Sequence, residues 1–393
     1  MSNDKRQRPQ RLLALDILRG ITIAGMLLVN NPGSWGHIYA PLEHASWNGL
    51  TPTDLVFPFF MFIMGVSTYF SLRKYNFELS GKAILKILRR TVVIFAIGLG
   101  IAWFSLFMRG LNNDLSVLEA VLNFDHIRIL GVMPRLALCY GIGSLIALSI
   151  PRKTLPWTIG GLLVLYAIIL LTGNGFEFAS HNVIARVDNA VLGDAHMYHD
   201  TIDGVKLAFD PEGLLSTLPS IAHMLIGFLC GGMILSTTDN QLRINKLFIL
   251  GTILTFSGFL LDFGMPINKK IWSPTFVLTT CGLASSFLGL LIWIIDIKGY
   301  RRWCHFFEAY GINPLFMYVF GGVLSILIGS INIPYAAAES GMISIKGWIY
   351  QAVLIPACAG DNTLASLCFA LLFVIFTWCF GQILYKNKIY IKI

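Results

Sequence analysis

Ten long apolar runs, separated by short polar segments, dominate the sequence. They lie at about 12–31, 52–72, 91–108, 128–150, 155–173, 214–236, 246–264, 273–295, 311–330 and 363–385. A helix needs roughly 17–25 mainly apolar residues to cross a bilayer, and in hydrocarbon a helix satisfies all of its own backbone polar groups. The runs therefore predict an all-α integral membrane protein with about ten transmembrane helices. We expect them to form one polytopic domain over residues 1–393.

The placement of positive charge predicts how these helices are oriented. Only 13% of the residues are charged, about half of the roughly 25% that is usual in soluble domains. Of the 29 Lys and Arg residues, 20 fall in the termini and one set of alternate loops, 7 fall in the other set, and Arg19 and Arg135 lie inside runs. Cytoplasmic loops carry the positive excess. We therefore expect both termini in the cytoplasm, and the same pattern explains the net charge of +8 without nucleic acid as a partner.

On this topology the longer polar segments lie outside the cytoplasm. Residues 174–213 predict a small extracytoplasmic loop cap with short β-prone pieces such as Asn182–Val187. The apolar piece Trp348–Ala357 is too short to cross and contains Pro356, which predicts an interfacial or re-entrant segment.

Two further features concern processing and metals. The first run follows a basic N-terminus and lacks a small-residue cleavage site, so we expect an uncleaved span and no signal peptide. The seven cysteines show no CxxC or Cys/His spacing, so neither a disulfide framework nor a metal site is expected.

The most informative polar stretch lies between the first two runs. It begins with His44-Ala-Ser-Trp-Asn-Gly and continues through Asp54 into the second run. A histidine, an indole, an amide and a carboxylate thus lie together at a bilayer boundary, where ionisable groups are costly and indicate a functional site by default. The plainer interpretation is an interfacial loop in which Trp47 is an aromatic anchor and Asp54 caps the second helix.

The His-Ala-Ser-Trp-Asn-Gly word and its continuation resemble the signature of the heparan-α-glucosaminide N-acetyltransferase family. The resemblance covers roughly residues 11–385 and is strongest at 44–65. It implies a transmembrane enzyme that moves an acetyl group from cytosolic acetyl-CoA, its co-substrate, to an amino sugar across the bilayer. It also implies that His44 is the catalytic histidine, acting as a general base or as a transient carrier of the acetyl group.

Three other short sequence motifs resemble those of the family. Asn30 ends the first run in Leu-Val-Asn-Asn; it caps a helix or, as the resemblance implies, polarises the thioester carbonyl as a catalytic group. Arg135, in Gly-Val-Met-Pro-Arg-Leu, lies inside the fourth run, so it must pair with Asp54 or Asp262 or bind a CoA phosphate. Glu212, in Asp-Pro-Glu-Gly-Leu-Leu-Ser-Thr, either begins a helix or binds substrate.

Four more residues are candidates for substrate binding. Asp54 could orient the imidazole, hold a sugar hydroxyl or cap the helix. Trp47 could stack on a sugar or adenine face, and Asn48 belongs to the same signature. His223, deeper in the sixth run, is either a core histidine or part of the site.

Asp16 and Arg19 open the first run with i, i+3 spacing, which places both charges on one helix face. We expect an ion pair that seals the cytoplasmic end of the bundle, and contact with the nucleotide of CoA is the alternative.

These features together favour an acyltransferase that uses acetyl-CoA and no metal. The chain lacks the large N-terminal lumenal region of animal members, so we expect a bacterial relative in the inner (cytoplasmic) membrane. The acceptor then stays open among heparan glucosamine, free glucosamine and a peptidoglycan amino sugar, and so does the oligomeric state, a homodimer included. The alternative function is a proton-coupled sugar transporter, for which ten spans with buried Asp, Arg and His would be suited.

Overall fold

The computed structural model describes residues 12–338 and 341–391. Five basic residues that entered the charge count, Lys5, Arg6, Arg8, Arg11 and Lys392, lie outside the described residues. The helices are α1 (Leu13–Val29), α2 (Val56–Leu72), α3 (Gly81–Asn112), α4 (Val117–Leu122), α5 (Val132–Ser149), α6 (Leu155–Thr172), α7 (Val183–Leu192), α8 (Thr217–Ser236), α9 (Asn240–Asp262), α10 (Pro274–Ile292), α11 (Cys304–Ile312), α12 (Pro314–Ser330), α13 (Ile345–Trp348), α14 (Ile355–Ala357) and α15 (Asn362–Lys386). Two antiparallel hairpins are formed by β1 (His199–Ile202) with β2 (Val205–Ala208) and by β3 (Asn332–Pro334) with β4 (Met342–Ser344).

Every predicted span falls on a helix. In the described part of the chain, eight helical segments are long and apolar enough to cross a membrane: Pro52–Tyr75, Gly81–Asn112, Val132–Ser149, Leu155–Thr172, Thr217–Ser236, Asn240–Asp262, Pro274–Ile297 and Asn362–Lys386. α11 and α12 form a ninth candidate that bends by 86° where Asn313 interrupts the helix before Pro314. α1 covers the first predicted span with 17 residues. The predicted all-α integral membrane class is confirmed.

Glycines bring α2 and α8 into close contact at the centre of the bundle. A Cβ on Gly65 would overlap the carbonyl oxygen of Met224, and a Cβ on Gly227 would overlap that of Phe62. Small residues at such positions let membrane helices pack backbone against backbone. About 72% of the apolar window of α8 is buried, against 6% for α3, so α8 is central and α3 is peripheral. This packing fixes α2 and α8 against each other, and Asp54 and Glu212 lie in the segments that lead into these two helices.

The segments predicted to lie outside meet at one end of the bundle. Hydrogen bonds join them: Trp47 Nε1 to Phe176 O at 2.7 Å, Gly49 N to Ile267 O at 2.8 Å, Ile129 N to His196 O at 3.2 Å and Lys270 Nζ to Asp200 Oδ2 at 2.6 Å. Connections that share one end of a helical bundle share one side of the bilayer, so this grouping agrees with the predicted alternation of the spans.

Residues 174–213 form a small cap over this end. α7, the β1–β2 hairpin and the buried ring of Phe209 surround a minor apolar cluster that includes Ile184. The expectation of β structure at Asn182–Val187 was wrong. Asn182 is instead a helix N-cap, because its side chain accepts a hydrogen bond from Ile184 N at 2.8 Å and so satisfies a free N–H at the start of α7. The region predicted to be interfacial or re-entrant, Trp348–Ala357, belongs to a short helical stretch whose middle, Ile349–Leu354, is a π-helix.

Candidate active site

A histidine and a carboxylate pair at the start of α2. The turn Pro52–Leu55 places Asp54 where its Oδ2 accepts hydrogen bonds from Thr51 N and Ala45 N, both at 3.1 Å. The other oxygen, Oδ1, lies 2.7 Å from His44 Nδ1. Asp54 is fully buried whereas the side chain of His44 is 41% exposed. Asp54 therefore caps the helix and orients the imidazole through Nδ1, so that Nε2 is the ring nitrogen turned away from the carboxylate.

Lys269 adds a cation to this pair. Its Nζ lies 2.9 Å from His44 Nδ1, 3.3 Å from His44 Nε2 and 3.4 Å from Asp54 Oδ1. The connection between α9 and α10 carries it, and Asn268 Nδ2 donates a hydrogen bond to Asn48 Oδ1 at 3.1 Å. The predicted binding residue Asn48 thus fastens the Lys269 segment to the His44 loop. Sequence reasoning missed Lys269, which it counted only as one of the loop charges.

The indole of Trp47 packs against residues of the cap. Its ring packs against Phe178 and Phe209 with centroids 5.3 and 5.4 Å away, and its Nε1 donates to the carbonyl of Phe176. These contacts anchor the cap to the His44 loop. Trp47 therefore has a structural role in joining the cap to this loop. That its ring also stacks on a substrate stays a prediction.

A second ionic cluster lies before α8. Arg128 donates to Asp210 Oδ2 at 2.9 Å through Nε and to Glu212 Oε2 at 2.6 Å through Nη2. Burial raises the pKa of Glu212, but the cations of Arg128, Arg135 and Lys269 together outweigh burial and hold that pKa below its ordinary value. Glu212 and Lys269 also influence each other's pKa through space. The predicted residue Glu212 therefore connects the Arg128 cluster to the His44 cluster.

Arg135 is fully buried, and its partners are not the predicted ones. Its Nη2 donates to Gly213 O at 2.8 Å and to Ser216 Oγ. The expected ion pair with Asp54 or Asp262 is absent among these contacts, because Asp54 binds His44 and Lys269 while Asp262 accepts from the backbone of residue 267. Within the described residues, Nε and Nη1 of Arg135 have no hydrogen-bond partner. Arg135 clamps the turn that carries Glu212.

His223 lies in the core of the bundle. It is fully buried, and its ring lies 5.8 Å from the ring of Trp272, over which the guanidinium of Arg135 also lies. In the described part of the chain neither of its ring nitrogens has a well-formed hydrogen bond. Its neighbours are thus core groups, and a substrate contact of His223 stays a prediction.

A cavity of about 610 Å³ opens among α1, α3, α5, α12 and the cap. Asn30 and Arg128 line it together with Arg109, His199 and Tyr318. His44 does not belong to this lining. Of the two residues predicted to be catalytic, Asn30 therefore lines this cavity and His44 does not.

At the opposite end, the predicted ion pair of α1 is present. Arg19 Nη1 lies 3.0 Å from Asp16 Oδ1, and Nη2 donates to Ser67 Oγ of α2 at 2.7 Å. The pair joins α1 to α2, and nucleotide contact stays a prediction. Over the described ranges, no three His, Cys, Asp or Glu residues lie together in a way that would hold a metal ion.

The fold is that of an all-α polytopic membrane protein. Its candidate active site, the carboxylate-bound histidine beneath the cap, lies at the bilayer boundary. The chain belongs to the family described as heparan-alpha-glucosaminide N-acetyltransferase, catalytic, which matches residues 11–261. It is 29% identical over 373 residues to the heparan-alpha-glucosaminide N-acetyltransferase of Homo sapiens, covering 79% of this chain and 52% of that protein. The enzyme of the same name from Mus musculus is 28% identical over 367 residues, covering 80% and 54%. The chain thus spans about half the length of these relatives. Lys269 lies beyond residues 11–261, the region that the family model matches.

Proposed function

We propose that the protein is a transmembrane N-acetyltransferase that moves the acetyl group of acetyl-CoA to the amino group of a glucosamine-type sugar outside the cytoplasm. One observation carries the proposal. Asp54 holds His44, the first residue of the family motif, through Nδ1 at 2.7 Å, and the imidazole side chain is 41% exposed. Family membership and the names of the relatives support this class of reaction.

The geometry suits proton transfer from an amine. A neutral imidazole whose Nδ1–H donates to a carboxylate has a lone pair on Nε2, so the tautomer is fixed for a base. His44 accepts the proton of the sugar amine as its nitrogen attacks the acetyl carbon, and the proton then passes to the departing CoA thiolate. Alternatively Nε2 attacks the thioester first and carries the acetyl group. Asp54 supports either route because both leave positive charge on the imidazole.

The neighbouring cavity supports a place for the donor. It is large enough, at about 610 Å³, for the thioester end of a CoA molecule, and the amide of Asn30 lines it. The excess of positive charge in alternate loops supports both chain ends in the cytoplasm. His44, the cavity and the cap then lie on the outer side, where an amino sugar is available, so the acetyl group is transferred on that side.

Acetyl transfer from labelled acetyl-CoA to a panel of amino sugars, measured on the purified protein in detergent, tests the proposal. We expect His44→Ala to lower turnover by about 10²–10⁴, the usual contribution of a general base. Asp54→Asn should lower it less while acetyl-CoA still binds. His37→Ala is the matched control, because His37 is an exposed histidine of the same loop.

Two outcomes would contradict the proposal. Turnover that survives His44→Ala above about a tenth of the wild-type value would remove His44 as an essential base or nucleophile. Absence of transfer to every amino sugar, combined with pH-driven sugar uptake into vesicles, would favour the transporter instead.

A further inference from the structure

Lys269 places a cation beside Nε2 of His44, the ring nitrogen that does not face Asp54. Its Nζ lies 3.3 Å from Nε2, and its side chain is 15% exposed. An ammonium has three donors, and Asp54 Oδ1 and His44 Nε2 accept two of them. One donor therefore remains for an oxygen atom that a substrate brings next to Nε2.

We propose that Lys269 stabilises the negative charge that develops on the acetyl oxygen during transfer. The inference rests on the proposed function and assigns it a further residue. As the amine nitrogen bonds to the acetyl carbon, the carbonyl π electrons move to oxygen. The carbonyl then re-forms, the C–S bond breaks, and His44 passes the amine proton to the thiolate. Whether the acetyl carbon is bonded to Nε2 or lies one hydrogen bond from it, its oxygen forms within reach of Nζ.

The position of Asn30 supports this assignment. Its amide, the predicted oxyanion donor, lines the cavity, and His44 is not part of that lining. A donor stabilises an oxyanion only when it lies about 3 Å from the oxygen. Lys269 Nζ lies 3.3 Å from Nε2 of His44, whereas Asn30 lines a cavity to which His44 does not belong.

The backbone around Lys269 is fixed before substrate binds. Residue 267 is bonded on both sides, because its N–H donates to Asp262 Oδ1 at 2.6 Å and its carbonyl accepts from Gly49 N at 2.8 Å. Asn268 is tied to Asn48, and Trp272 ends the segment with a φ of 52° in the left-handed region. Preorganised charge is effective because little reorganisation is needed as the reaction proceeds.

The charges around Lys269 predict a pH signature. Asp54 and Glu212 face its ammonium from the α2 and α8 sides, His44 contacts it, and Lys270 next to it is paired with Asp200. Burial lowers the pKa of Lys269 below its ordinary value, although the two carboxylates oppose this shift. As pH rises through that lowered pKa the cation is lost, so transfer should decline at a lower pH than an ordinary lysine would cause.

Three variants test the role of this charge. Lys269→Met should lower kcat by about 10²–10³, the usual loss for one oxyanion donor, while KM for acetyl-CoA and sugar changes by less than about threefold. Lys269→Arg should restore part of kcat and move the alkaline decline to higher pH, because guanidinium stays charged. Lys270→Met is the matched control, since Lys270 is the adjacent lysine with similar exposure, 17% against 15%.

A second assay separates this inference from the proposed function. Hydrolysis of p-nitrophenyl acetate needs a reactive His44 and a stabilised oxyanion, but neither CoA nor sugar. If the wild type hydrolyses this ester in a manner that depends on His44 and Lys269, yet transfers no acetyl from acetyl-CoA, the proposed function fails and the role of Lys269 stands. If acetyl transfer occurs and Lys269→Met leaves both activities within about threefold of wild type, the inference is overturned alone.

A structural role for Lys269 gives a different result. Loss of kcat together with a lower melting temperature, an unchanged alkaline decline and no recovery in Lys269→Arg would overturn the inference. Lys269→Gln, which keeps a polar partner for Asp54, carries the same test if the Met variant does not fold.

Discussion

Arg135 is a buried cation whose hydrogen bonds go to the chain that precedes α8. Its Nη2 binds Gly213 O and Ser216 Oγ, and its guanidinium lies 5.4 Å from the ring centre of Trp272. No carboxylate accepts a hydrogen bond from it in the described residues, although Glu212 is close enough to be influenced by its charge. Its first role is therefore to hold the turn that bears Glu212.

We expect Arg135→Ala to destabilise the protein even without ligand. The change removes a buried hydrogen bond from a charged donor, which costs about 1.5–3 kcal/mol, although Gly213 O still accepts from Thr217 Oγ1 at 3.0 Å. Arg135→Lys keeps the charge but loses the planar fork, so it should be intermediate. Thermal unfolding of both variants in detergent, with and without acetyl-CoA, measures the effect.

The matched control is Arg186→Ala, which removes an exposed arginine from the cap helix. A different result would indicate the predicted phosphate contact instead. In that case acetyl-CoA affinity would fall in Arg135→Lys while the melting temperature of the ligand-free protein stayed the same.

The sequence predicts the short-range part of the site and not the long-range part. His44 and Asp54 lie only ten positions apart, in one recognisable motif and its continuation. A carboxylate at the start of a helix has few possible orientations, because it caps the backbone N–H groups there. Lys269 reaches the same imidazole across 225 positions. Its place depends on how α9 and α10 stand against α2, which no local pattern encodes. Arg135 is a second example. Its position inside an apolar run predicted that it has a partner, but not which residue that partner is.

At the scale of elements, the close pairing of α2 and α8 fixes the site. Asp54 precedes α2, and Glu212 and Ser216 precede α8. Gly65 and Gly227 permit the approach, because each faces the carbonyl of the other helix. A side chain at either position must push the two helices apart, and this would move Asp54 relative to Glu212.

We therefore expect Gly227→Ala to lower both the melting temperature and acetyl transfer, since overpacking costs about 1–3 kcal/mol or more when backbone must shift. Gly160→Ala in α6 is the matched control, because nothing lies within 4 Å of a Cβ added there. Thermal unfolding and turnover of the two variants test this. Equal stability of both would mean that the α2–α8 contact adjusts freely.

Hydropathy predicted the positions of the helices because bilayer thickness fixes the length of an apolar run. The same reasoning has less force in the polar cap. There the asparagine at position 182 starts a helix by capping it, against the β propensity of the valine and isoleucine that follow. Capping chemistry outweighed side-chain preference over this short segment. The bend at Asn313 also has a local cause, the proline that begins α12.

At the scale of the whole molecule, the proposed chemistry depends on which face of the bilayer His44 occupies. The loops joined to the His44 segment lie at one end of the bundle. Residues 73–90, which connect α2 to α3 and form the first turns of α3, carry six basic residues and belong to the other set. The positive-inside rule assigns that basic connection to the cytoplasm. If it is correct, donor and acceptor meet only through the interior of the protein.

Labelling with a membrane-impermeant maleimide tests this orientation in intact cells. Ala40→Cys and Lys82→Cys suit the experiment because both residues are exposed, one in the His44 loop and one in the basic first turn of α3. Cys379, the exposed native cysteine, is replaced by serine in both variants so that it adds no signal. We expect Ala40→Cys to react before permeabilisation and Lys82→Cys only after it, because a charged reagent does not cross the hydrocarbon core. The reverse pattern would place His44 in the cytoplasm, where acetyl-CoA and acceptor share one compartment, and the reaction would then need no transfer across the membrane.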